Sequence, residues 1–168
     1  MITIRPYTES DIVAIGCVIA DTYRRFNLDQ FSPEEQALML GPFLHAYSDD
    51  PDHCAAVAAV VRSATVLVAD DQGEVVGVLR GRHERLASLF VRGDQHRRGI
   101  GRQLVERFEA DSIRDGVTVI RVLATFYAMP FYAKMGYKRS TGVRFVHSFD
   151  GPGLPAQPMR KVLPPYDA

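Results

Sequence analysis

The stretch from Leu86 to Arg102, Leu-Ala-Ser-Leu-Phe-Val-Arg-Gly-Asp-Gln-His-Arg-Arg-Gly-Ile-Gly-Arg, constrains the fold more than any other part of the chain. Leu86 to Val91 is a short apolar run with a β-branched end, Arg92 to Gln95 is a polar break containing glycine, and Gln103 to Ala110 shows the helical spacing of Leu104, Val105 and Phe108. A strand therefore feeds a loop, and the loop feeds a helix. The first N–H groups of a helix have no intrahelical acceptor and sit at the positive end of its dipole, so the loop is a candidate anion site. Gly99 and Gly101 carry no Cβ and let a phosphate approach the main chain, while Arg97, Arg98 and Arg102 add positive charge around them. A diphosphate-bearing ligand would suit this loop. Taken alone, a glycine-rich strand-to-helix turn with solvated arginines is the plainer reading. Two familiar nucleotide motifs are excluded: the Lys-Ser/Thr of a P-loop is missing, and the third glycine of the dinucleotide fingerprint would fall on Leu104.

The rest of the chain supplies a scaffold of both helices and strands. Ile2 and Ile4 alternate with Thr3 and Arg5, so residues 1 to 6 read as a first strand, and Thr8 is placed to cap a helix running to about Arg25. Ser32-Pro33-Glu34-Glu35 combines a cap, a proline at the first helical position and a reciprocal glutamate, which predicts a second helix to about Tyr47. His53 to Arg62 is rich in alanine and valine and reads as a short third helix. Thr65 to Ala69 and Val75 to Arg80 are β-rich runs around Asp70-Asp71-Gln72-Gly73, a strong hairpin signal. After the helix that follows the glycine loop, Gly116 breaks the chain and Val117 to Leu123 reads as a strand, parallel to its predecessor through a right-handed crossover. A helix over Ala128 to Met135 ends at Gly136, and the tail gives a strand over Val143 to Phe149, a turn, and a last strand around Met159 to Leu163.

Length and charge narrow the classes. At 168 residues the chain suits one domain able to bury about 70% of its unfolded surface. With 20 basic and 20 acidic residues the formal net charge is zero, so no global field draws the protein to nucleic acid or to an anionic membrane. Cys17 and Cys54 have neither metal-ligand spacing nor a disulfide framework and read as core packing, so no metal is expected. No apolar run approaches ~20 residues and no signal peptide opens the chain, which makes a reducing cytoplasm the simplest setting.

A second segment gives the glycine loop its meaning. Ala124-Thr125-Phe126-Tyr127-Ala128-Met129-Pro130-Phe131-Tyr132-Ala133-Lys134-Met135-Gly136-Tyr137 is similar to the Asn/Ser-x-x-Ala-x-x-Phe-Tyr-x-x-x-Gly-Phe segment of the GNAT-type (Gcn5-related) N-acetyltransferases. The loop resembles that family's Gln/Arg-x-x-Gly-x-Gly/Ala phosphate loop, with His96 at the first position and Gln95 one residue too early. Thr125 stands where many members have Asn. The two motifs have the family's order and spacing, and the resemblance extends over residues 1–168 as a single acetyltransferase domain.

The resemblance implies an α/β fold with a mixed, mostly antiparallel sheet of about seven strands, a central parallel splayed pair, and four to five flanking helices. It implies acetyl-CoA as co-substrate, with the pantetheine arm along the main chain of Leu89, Phe90 and Val91. The diphosphate would lie on His96, Arg97, Arg98, Gly99, Ile100, Gly101 and Arg102, with Thr125, Phe131 and Lys134 nearby. Tyr132 would stand beside the CoA sulfur as a proton donor to the leaving thiolate. Members often place Glu or His at the positions of Arg85 and Ala87; here Glu84 and His83 are the adjacent candidates for a base, and His147 is a third. The acceptor side would be lined by Tyr23, Phe26, Asn27, Phe31 and His147. The partner expected is a small-molecule or peptide amine acceptor, with no nucleic acid and no membrane; a homodimer is compatible with the resemblance. Other classes remain open: a non-catalytic CoA-binding module, a nucleic-acid binder disfavoured by neutral charge, and an oxidoreductase disfavoured by the missing third glycine.

Overall fold

The structure, a computed structural model, describes residues 1–166. Its sheet has eight strands: β1 (Ile2–Pro6), β2 (Thr65–Asp71), β3 (Glu74–Arg82), β4 (Arg85–Val91), β5 (Val119–Thr125), β6 (Lys138–Arg139), β7 (Arg144–Val146) and β8 (Leu154–Val162). The order is β1-β2-β3-β4-β5-β8-β6, with β7 also on β8. Every pair is antiparallel except β4 with β5. Five helices accompany it: α1 (Ile12–Asn27), α2 (Pro33–Leu40), α3 (Pro51–Val61), α4 (Ile100–Arg114) and α5 (Met129–Lys134). The expected mixed sheet with one parallel pair and four to five helices is what the chain forms.

Some boundaries differ for identifiable reasons. The strand count is eight because β6 is two residues long and carries no alternation to read. Strand β8 starts at Leu154 rather than near Met159, since Pro155 and Pro158 hide the run. Ser32 caps α2 as expected, its Oγ accepting from Glu35 N at 3.2 Å while the Glu35 carboxylate accepts from Ser32 N at 2.9 Å. The helix stops at Leu40 rather than near Tyr47, because Pro42 cannot continue the helical ladder and disfavours helical backbone at Gly41; a 3₁₀ turn over Gly41–His45 follows. Thr8 caps a short 3₁₀ turn, Glu9–Asp11, from which α1 begins.

Two apolar clusters sandwich the sheet. On one face Ile15 and Ile19 of α1, Leu40 of α2 and Val57 and Val61 of α3 meet Val66, Val68 and Val78. On the other, Ile100, Leu104, Val105 and Phe108 of α4 meet Leu67, Val76, Leu79, Leu86 and Ile120. The i, i+4 spacing of Ile100, Leu104 and Phe108 puts them on one stripe of the helix, which is why α4 can lie flat on the strands.

The parallel pair is where the sheet opens. Strands β4 and β5 pair only at Arg85 with Arg121 and Leu86 with Val122. Beyond that, Ser88 to Val91 stay with β3 and Leu123 to Thr125 stay with β8. A bulge between Arg80 and Gly81 turns β3 beside this point. The facing edges of β4 and β5 thus diverge toward their C-terminal ends, where the glycine loop and α5 begin.

Candidate functional site

The divergence of β4 and β5 opens into a cavity of about 990 Å³ that runs from the glycine loop to the chain's tail. Its floor is formed by Ser88, Leu89, Phe90 and Val91 on one side and Leu123, Ala124 and Thr125 on the other. Main-chain amides at such a gap have lost their ladder partners, and an extended amide chain can replace them.

At one end the cavity is bounded by the entrance of α4. Gly99 is the residue ahead of the helix and takes the left-handed conformation (φ 77°, ψ 7°), which an L side chain rarely adopts. Arg97, with φ 62°, is also left-handed. Among the described residues no side chain caps the helix, so the amides of Gly99, Ile100, Gly101 and Arg102 are left for an external acceptor, and all four residues line the cavity. A Cβ built on Gly99 finds only Gln103 Nε2, at 4.0 Å, so the space beside this residue is open. Uncapped amides, a positive dipole end and the flanking Arg97 form a concave anion site that can hold a diphosphate; Arg102, beside them, is ion-paired with Glu106 at 2.7 Å.

His96 does not reach for a ligand with its imidazole. Its Nε2 lies 2.7 Å from the Val91 carbonyl, and because a carbonyl only accepts, Nε2 carries the proton. The bond closes the loop back onto the end of β4. Phe26 from α1 lies over both walls, its ring 4.7 Å from the His96 ring and 5.4 Å from the Tyr127 ring. Phe26 therefore stands at the anion end of the cavity rather than among the acceptor-side aromatics.

Along the β5 wall, Thr125, Phe131 and Tyr132 line the cavity. Tyr132 is 4% exposed, with its ring packed edge-on to Phe131 and Tyr137 at 5.1 and 5.5 Å. Burial pushes its phenol well above the usual tyrosine range, so it stays protonated at neutral pH.

The other end is aromatic and walled by the tail. Tyr23, Phe43, Arg80, Ser88 and Phe90 face Val146 to Phe149 across it. Tyr23 and Ser148 share a hydrogen bond between their hydroxyls at 2.8 Å, which ties the tail to α1. His147 Nδ1 donates to the Gly151 carbonyl at 3.3 Å, leaving Nε2 as the ring's acceptor. Among the described residues, no Asp or Glu lines the cavity.

Several expected site residues lie elsewhere. His83 and Glu84 occupy the tip of the β3–β4 hairpin, His83 at φ 46°, and Glu84 forms an exposed ion pair with Arg121 at 2.6 Å. The tip is at the closed end of the parallel pair, where Glu84 O accepts from Arg121 N at 2.7 Å, and the gap opens at the opposite end of the strand. Arg98 turns away to Gln95 and Asp71, Lys134 is exposed at the end of α5, and Phe31 packs against the α1–α3 core. Tyr23, Asn27, His147, Leu89, Phe90, Val91, His96, Arg97, Gly99, Ile100, Gly101, Arg102, Thr125, Phe131 and Tyr132 are brought together. Sequence reading missed Arg80 and Ser88. The signal was present in Val76 to Arg80, where Arg80 shares the inward face of Val78 in an otherwise apolar run.

Residues 30–163 match the sequence model of the acetyltransferase (GNAT) domain. Among proteins of curated function, no sequence matches the chain. Its structure is similar to that of a GCN5-related N-acetyltransferase from Rhodopseudomonas palustris, with 25% identity, a TM-score of 0.76, and coverage of 96% of this chain and 95% of that one. It also resembles the PaiA N-acetyltransferase of Thermoplasma acidophilum in complex with coenzyme A (15% identity, TM-score 0.72, 96% and 99% covered). A third is YncA of Salmonella typhimurium, a putative acetyltransferase with its cofactor acetyl-CoA (17% identity, TM-score 0.65, 100% and 97% covered).

Proposed function

The chain belongs to the GNAT acetyltransferase family, and from that premise we propose that it is an N-acetyltransferase that moves the acetyl group of acetyl-CoA to a primary amine by direct attack in a ternary complex. One observation carries the reading. A single cavity joins an uncapped helix entrance fit for a diphosphate, a strand gap fit for an amide chain, and a buried phenol, with a separate aromatic chamber beyond them. A CoA thioester laid along this path presents an activated acetyl group to the chamber.

The residues divide the work accordingly. The amides of Gly99 to Arg102 hold the diphosphate, and Arg97 offsets its charge. Leu89 and its neighbours on β4 hold the pantetheine amides. The amine nitrogen attacks the thioester carbonyl carbon, a C–N bond forms as the C–S bond breaks, and Tyr132 gives its proton to the departing sulfur. Holding a primary amine of pKa ~10.4 neutral at pH 7 costs about 4–5 kcal/mol. With no carboxylate in the lining, we assign the amine's proton to Nε2 of His147 or to water beside it.

The direct test follows free CoA while the protein is offered acetyl-CoA with a panel of amines. Amine-dependent release is expected, together with thermal stabilisation by acetyl-CoA and none by NAD. Stabilisation without turnover on any amine would leave a CoA-binding module.

The cradle makes its own prediction. Gly99→Val adds both a Cβ beside the diphosphate site and a left-handed strain of about 1–2 kcal/mol, so CoA affinity should fall roughly tenfold or more. Unchanged affinity by calorimetry in a folded Gly99→Val protein would rule out this cradle.

A further inference from the structure

Arg80 is a cation built into the acceptor end of the cavity without a counter-charge. It extends from β3 on the face of Val78, and its guanidinium is anchored from behind. Nε donates to Ser88 Oγ at 2.9 Å, Nη1 donates to the Val60 carbonyl at 2.5 Å, and the guanidinium carbon sits 5.9 Å from the centre of the Phe43 ring. Val60 lies in the last turn of α3, where the helix dipole is negative, so part of the charge is offset there. No carboxylate among the described residues pairs with it. Arg5, Arg62, Arg92, Arg107 and Arg121 each have one; Arg82, Arg85 and Arg97 have none among the described residues, but they are exposed, whereas Arg80 is half-buried.

That difference has a physical cost. Burial lowers the Arg80 pKa, and desolvation is the cause, with no acid opposing it. A buried cation is expensive unless paired, and a neutral donor could have met the Val60 carbonyl and Ser88 without that cost. The fork has five N–H donors, of which these two contacts use two. Arg80 also lines the cavity, between Phe43 and Ser88, where no acidic side chain would repel an anion.

We infer that Arg80 receives the carboxylate of the acceptor, so that the substrate is a small amino acid-type amine whose carbon skeleton lies among Tyr23, Phe43 and Phe90. The inference rests on the acetyltransferase reading and specifies its acceptor. A planar fork held from behind matches a carboxylate in two parallel hydrogen bonds, which an ammonium on a flexible stem cannot do. The attacking nitrogen is then fixed relative to the acetyl group by an interaction remote from it.

The test pairs acids with their own carboxamides: glycine, 4-aminobutanoate and phenylalanine against glycinamide, 4-aminobutanamide and phenylalaninamide. At least one acid should be acetylated with kcat/KM roughly 10–100-fold above its amide, as expected for a charge-assisted pair. Arg80→Gln should erase that advantage while leaving acetyl-CoA affinity within about twofold, and Arg80→Lys should keep part of it. An acid preference that survives in Arg80→Gln, or amides used as well as acids by the wild type, overturns the inference while acetyl transfer stands. Should Arg80→Gln fail to fold, the wild-type acid-to-amide ratio and Arg80→Lys decide the matter. If no amine is acetylated, the enzymatic reading fails. Thermal shift of the CoA-loaded protein then judges Arg80 separately: stabilisation by an acid but not its amide supports the carboxylate site, and stabilisation by neither overturns it.

Discussion

Phe108→Ala is expected to lower the unfolding free energy by about 3–5 kcal/mol, the usual cost of emptying a large aromatic site in a core. Phe108 is 2% exposed and lies against β3 where Gly81 follows the bulge. A Cβ on Gly81 would fall 2.6 Å from the ring, so the ring occupies the space that any larger residue there would need. No flexible neighbour is poised to fill the hole, since Leu79, Leu86 and Leu104 are themselves fully buried. The consequence reaches the site, because the same stripe of α4 carries Ile100 at the cradle. For a chain of this length the midpoint of thermal unfolding should fall by about 10 °C, and CoA at about 100 times its Kd should restore about 2.7 kcal/mol. Phe108→Leu should cost far less, under about 1.5 kcal/mol. Urea unfolding that gives less than about 1 kcal/mol for Phe108→Ala would mean that α4 is not held by this contact.

What sequence alone disclosed follows from the range of each interaction. The strand, loop and helix of residues 86 to 114 are local: apolar period, glycine position and helix entrance are all written within a few residues of one another. The proposed cradle is made of main chain, so His96 in place of the usual Gln or Arg can turn back to Val91 without removing it. The aromatic end of the cavity is assembled from α1, the Gly41–His45 turn, β3, β4 and the tail, and no local pattern reports which side chains converge there. His83 and Glu84 illustrate the failure. They are close to Leu89 in sequence but lie roughly 17–20 Å back along an extended strand, at about 3.3 Å per residue, and the strand points its open end the other way. Arg80, eight residues before Ser88 in sequence, is directly across from it in the sheet.

Tyr132→Phe should reduce turnover by about 10²-fold, at the lower end of what a general acid contributes, because a thiolate of pKa ~8.5 can also leave unaided. The substitution removes one oxygen and keeps the ring. The edge-on contacts with Phe131 and Tyr137 are therefore preserved, and burial is what raises the phenol's pKa. Stability should accordingly change by less than about 1 kcal/mol, and acetyl-CoA affinity should stay near the wild-type value. The pH dependence has a definite sign. Because burial raises the phenol's pKa, its proton is retained above pH ~10, where an ordinary tyrosine ionises, so the Tyr132-dependent part of the rate should persist there. A loss of stability and CoA affinity together would instead make Tyr132 a packing residue. Undiminished turnover in Tyr132→Phe would remove the phenol from the reaction and leave the sulfur to depart as the thiolate.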